Sequence, residues 1–137
     1  MLDPRYAVPS FNLPAEDGTV YTLSSRRGRA PTVLLFVPPD HPLLAGFAAV
    51  HSDLLTWNAE VLALLPEPPT HRQPYPQLLD AGGRVRARYP ENPLPGVIVL
   101  DRYTAPLLWH FSADPSTFPA PYEAVEAIRL SELNCSM

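Results

Sequence analysis

The chain has 137 residues, 46% of them hydrophobic and 18% charged, which is a globular rather than a disordered composition and enough for one folded domain, 1–137. Its formal charge is −4, and its basic residues, all arginine, form no block longer than Arg26-Arg27 with Arg29, so nucleic-acid binding, which needs a concentrated positive surface, is excluded. No apolar run approaches the roughly 20 residues that cross a bilayer, and Met1-Leu2-Asp3-Pro4-Arg5 does not open a secretory leader, so no membrane contact and a cytoplasmic location are expected.

The 19 prolines would argue against a fold if they were spread evenly, because each removes a backbone donor. Instead they gather at the edges of apolar segments, so the segments between them read one at a time. Phe11 and Leu13 alternate with polar neighbours, Asp17-Gly18 turns the chain, and Val20 to Leu23 returns, which is a β-hairpin pattern. Thr32 to Val37 is a continuous apolar run, as expected of a strand buried on both faces. Leu43, Leu44, Phe47, Val50, Leu54 and Leu55 recur at helical spacing, with Pro42 tolerated in the first turn and Asp40 placed to cap it. Glu60 to Leu65 reads as a second buried strand that closes a βαβ unit.

Beyond a proline-rich loop, Gln77 to Asp80 is extended and Gly83 to Tyr89 is a short helix. Gly96 to Leu100 is a third central strand, and Pro106 to Phe111 returns antiparallel to it. Pro121 to Leu133 closes the chain as a helix with Val125, Ile128 and Leu133 inward. Trp57 and Trp109, next to strands, are expected in the core. The order implies an α/β fold, a mixed central β-sheet flanked by helices with an N-terminal β-hairpin.

Motifs for chemistry are sparse. The single cysteine, Cys135, rules out an internal disulfide and a cysteine-based metal site within one chain. His41, His51, His71 and His110 do not pair at the short spacings typical of metal ligands, and there is no phosphate-loop or nucleophile-elbow pattern. Neither metal nor cofactor is expected.

Several stretches, taken in order, resemble the peroxiredoxin branch of the thioredoxin-like superfamily. Pro9-Ser10-Phe11-Asn12-Leu13 with Asp17-Gly18 is similar to its opening hairpin. Leu23-Ser24, Gly28 and the strand Thr32 to Val37 follow in its order, and Phe36-Val37-Pro38-Pro39-Asp40 resembles the segment entering its active site. Leu79-Asp80-Ala81-Gly82-Gly83, Tyr89 and Val97 to Asp101 continue the likeness to about residue 133. The resemblance implies a thioredoxin-like fold, a homodimer and thiol-dependent peroxidase chemistry.

The departures bear on that chemistry. The family's segment runs proline, three residues, threonine or serine, two residues, cysteine; here Pro38 leads to Pro42 and then to Ala45. The family's arginine, just before the later strand, falls at Pro95. Peroxide reduction needs an activated sulfur nucleophile, which neither alanine nor proline supplies. The resemblance therefore implies a degenerate site at Pro38, Pro42, Ala45 and Pro95, and a redox-inactive binding or assembly module. A former active-site mouth lined by Pro38, Pro39, Pro42, Ala45 and Pro95 would accept a protein or a small apolar ligand. The alternative is an antioxidant oxidoreductase using Cys135 as its catalytic thiol. Leu94-Pro95 stands where thioredoxin relatives keep a cis proline, and either a cis or a trans bond is open there.

Overall fold

The structure, a computed structural model, describes residues 2–135, the side chain of Cys135 excepted. Strands β1 (Asn12–Pro14) and β2 (Val20–Thr22) form the antiparallel hairpin around Gly18, whose φ of +86° suits a residue without a Cβ. Strands β3 (Thr32–Phe36), β4 (Glu60–Leu65), β5 (Gln77–Leu79), β6 (Gly96–Leu100) and β7 (Pro106–Phe111) form a five-stranded sheet in the order β5-β4-β3-β6-β7. β3 pairs parallel with β4 and antiparallel with β6, so the sheet is mixed. Helices α1 (Pro42–Ala49) and α2 (His51–Thr56) connect β3 to β4, and α3 (Pro121–Cys135) closes the chain.

The central run is apolar without a break because both sides of the sheet are covered. Successive side chains of a strand point to opposite faces. Val33, Leu35 and Val37 pack with Leu43, Phe47 and Leu54 of α1 and α2 and with Val125 and Ile128 of α3. Leu34 and Phe36 pack on the other side with Phe11, Leu13, Leu23, Leu78 and Tyr89.

The structure corrects the sequence reading at several places. The helix expected from Leu43 to Leu55 is two helices, because Val50, at φ −107° and ψ 7°, leaves the helical well between them. The segment Gly83 to Tyr89 is not one helix but follows a tight turn at Ala81–Gly83 with another at Arg86–Arg88. Gly82 and Gly83, at φ +70° and +68°, cannot continue a right-handed helix. Leu133 is exposed rather than inward: five residues past Ile128 is about 140° around a helix of 3.6 residues per turn. Trp57 packs against the helix-side core, whereas Trp109 is exposed on the outer strand β7. At Leu94-Pro95, where the sequence leaves both forms open, the bond is trans; Asn92-Pro93 is cis. Pro93 is the third residue of a turn closed by the Leu94 N–H donating to the Glu91 carbonyl at 2.8 Å, where a cis proline belongs.

Candidate functional site

β3 and β4 both point their C-terminal ends toward one pole of the sheet, and antiparallel β6 starts there, with Gly96 opposite Phe36. Open α/β sheets bind ligands at that edge, where diverging connections leave a crevice. Here it is a cleft of about 490 Å³. Phe36, Val37 and Pro38 contribute from the end of β3, and Leu64 and Pro66 from the end of β4. Asp80, Gly82, Gly83, Arg86 and Ala87 line it from the two tight turns, and Asn92, Pro93 and Pro95 from the approach to β6.

Asp80 organises the tight turns from within. Its buried carboxylate accepts the Val85 N–H at 3.0 Å and the Arg86 N–H at 2.9 Å. That arrangement turns the Arg86 side chain into the protein, where only 8% of the residue is exposed. Its Nη1 donates to the carbonyls of Pro90 at 2.8 Å and Tyr89 at 3.4 Å, and its Nη2 to that of Leu94 at 2.8 Å. The guanidinium carbon lies 5.1 Å from the Phe36 ring centroid and 5.2 Å from that of Phe111, within cation–π range. Burial lowers the Arg86 pKa from its ordinary value, an effect partly opposed by Glu91. Tyr89 packs against Phe36 at 4.8 Å between ring centroids and donates its hydroxyl to the Pro9 carbonyl, which fixes this wall to the N-terminal segment. Burial pushes its phenol pKa well above the usual value.

The structure brings Pro38 and Pro95 into this cleft. Pro39, Pro42 and Ala45 stand outside its lining, with Pro42 and Ala45 exposed in the first turn of α1. The cap of α1 is His41 and not Asp40: the His41 Nδ1 accepts the Leu43 N–H at 3.1 Å, because His41 is the residue adjoining the first helical turn and keeps an extended backbone. The thiol of Cys135 lies outside the described residues; the last turn of α3 is placed by a charge pair. Glu132, three residues before Cys135, pairs with Arg102 at 2.8 Å in the turn between β6 and β7, at the pole opposite the cleft.

The roles of two residues in these places, a buried arginine and a histidine cap, are not read from the sequence. Arg86 carried a usable signal: in any helical turn it shares a face with Tyr89 three residues on and adjoins Val85, both apolar. His41 carried none, since a histidine is not among the usual caps.

No family model and no curated protein matches the chain. Solved structures do match it. The peroxidoxin BcpB of Mycobacterium tuberculosis is 21% identical, with a TM-score of 0.73 over 91% of this chain and 95% of that one. A mitochondrial 1-Cys peroxiredoxin of yeast is 16% identical, with a TM-score of 0.78 over 99% of this chain and 79% of that one. A candidate thiol:disulfide interchange protein, DsbE, of Chlorobium tepidum is 20% identical, with a TM-score of 0.67 over 98% of each chain. The fold is thioredoxin-like, and peroxiredoxins are among its structural neighbours.

Proposed function

We propose that this chain is a single-domain, peroxiredoxin-like binding module that does not run the thiol peroxidase cycle and holds a small molecule at the cleft between the ends of β3, β4 and β6. The observation that carries the reading is Ala45. It presents a methyl group in the first turn of α1, where the family resemblance calls for the attacking thiolate, and residues 1–134 contain no cysteine. Pro42 and Pro95, at the other two chemical positions, have no side-chain donor or acceptor. The cleft mouth supports a binding role, because Pro38, Pro66, Pro93 and Pro95 give it apolar walls of fixed backbone geometry.

The rival reading, an oxidoreductase working through Cys135, is disfavoured by the Arg102–Glu132 pair that anchors the end of α3 at the opposite pole. Homodimerisation and a cytoplasmic location belong to the same proposal. They follow from the resemblance and from the composition; no helix among the described residues is long and apolar enough to cross a membrane. Hydrogen peroxide consumption with a dithiol donor tests the reading. Turnover at the uncatalysed rate is expected, and turnover above it that disappears in Cys135→Ala would overturn the proposal.

A further inference from the structure

Building on the reading of the cleft as a binding site, we infer that its ligand is a small monocarboxylate with an apolar body, held through its carboxylate by Arg86. Arg86 is a buried residue, and a cation drawn out of water normally has an anion beside it, because an unpaired buried charge is costly. Arg86 makes no ion pair with any described carboxylate. Asp80, which touches Arg86 through the backbone, spends one oxygen on the Val85 N–H and the other on the Arg86 N–H. Glu91 acts on the guanidinium only through space. What Arg86 has instead are three backbone carbonyls and the rings of Phe36 and Phe111. These satisfy dipoles and quadrupoles but put no described carboxylate in contact with the charge.

The geometry also selects the kind of anion. Phe36 and Phe111 lie beside the guanidinium and Nη1 is given to two carbonyls, so the donors left for an incoming group are those of the Nε–Nη2 edge. On that edge the Nε–H has no acceptor among the described residues, and Nη2, which donates to Leu94, keeps a second hydrogen. Two parallel donors on a guanidinium edge match the two oxygens of a planar carboxylate. Asp80, whose two oxygens are held by the Val85 and Arg86 N–H groups, and Asn92 are the other polar side chains of the lining; Phe36, Leu64, Pro38, Pro66, Pro93 and Pro95 can bury a hydrocarbon and not a second charge.

The guanidinium reaches the carbonyl of Leu94, immediately before Pro95. A cation therefore arrives beside the position where the resemblance places the family's arginine, but from the Arg86–Arg88 turn.

Decanoate, decanol and decylammonium, each below its micelle concentration, provide the test, with binding read from amide chemical-shift changes in the full chain. Decanoate is expected to bind at least about tenfold more tightly than decanol, as a charge-assisted bidentate pair would give. Its shifts should centre on Gly82, Gly83 and Ala87. Arg86→Gln should remove that preference. Because Arg86 also supports three carbonyls and its loss could unfold the wall, Ala87→Glu gives an independent arm at an exposed lining position. It should weaken decanoate severalfold and leave decanol unchanged. Equal affinity for decanoate and decanol, or tighter binding of decylammonium, would overturn the carboxylate assignment while leaving the cleft as a binding site. No binding of any of the three at the cleft residues would remove the binding-site reading itself.

Discussion

His41 carries a protonation constraint that follows from its role. Its Nδ1 accepts the Leu43 N–H, so the ring can serve as a cap only when that nitrogen is unprotonated. The Nε2 is buried and has no partner among the described residues, and Phe118 packs edge-on at 5.6 Å between ring centroids. Burial lowers the folded-state pKa below 6.5, with Asp40 pulling weakly the other way. A depressed pKa in a base means that the unfolded chain binds the proton more readily, so stability rises with pH across the interval. The contribution is complete above the unfolded value of about 6.5 and is lost as pH falls through the lower folded value. Thermal unfolding followed from pH 7.5 to pH 5 should therefore show a falling midpoint. The fall should be shallower in His41→Asn, whose side-chain oxygen can cap α1 without titrating. An identical pH profile for the two proteins would contradict this account.

At the level of elements, the β6–β7 pair depends on a close approach that only glycine permits. Gly96 lies opposite Phe111, and a Cβ built on Gly96 would stand 2.1 Å from the Phe111 ring. The ring thus lies across the strand start and reaches Arg86. Gly96→Ala should destabilise the protein by ~1–3 kcal/mol through overpacking, measured by urea unfolding. Adding Phe111→Leu should recover part of that loss, which a simple strand-propensity effect would not do. The same pair shows what was legible in the sequence. β3, β4 and β6 are readable because apolar runs between prolines report burial directly, and β7 because the 101–104 turn sends the chain back beside β6. The 81–89 segment was misread because its structure is set by one buried carboxylate and two glycines with positive φ, and neither has a periodic signature. The cleft was half legible for the same reason. Pro38 and Pro95 are singled out in the sequence by the family resemblance, whereas Arg86 enters through a turn whose path no local pattern encodes.

On the scale of the whole molecule, the sheet separates two poles. The cleft occupies the end where β3 and β4 finish, and the Arg102–Glu132 pair fixes the end of α3 at the other. Five residues of extended strand lie between them, roughly 17 Å at about 3.3 Å per residue. Spin labels placed on Cys135 and on Ala87→Cys should accordingly report a separation well beyond about 15 Å by pulsed dipolar spectroscopy. A short distance would bring the thiol to the cleft and restore a redox reading.

The prolines at the ends of the central strands have an effect that reaches past their role as boundaries. Pro38 follows β3, Pro66 follows β4 and Pro95 precedes β6, so three neighbouring backbones reach the opening with no amide hydrogen to offer and with one torsion each locked. The outline of the opening is then settled when the chain folds, not when a guest arrives. Recognition there would lose little motional freedom, tolerate few misfits, and give no foothold to an extended peptide seeking to add itself as a strand.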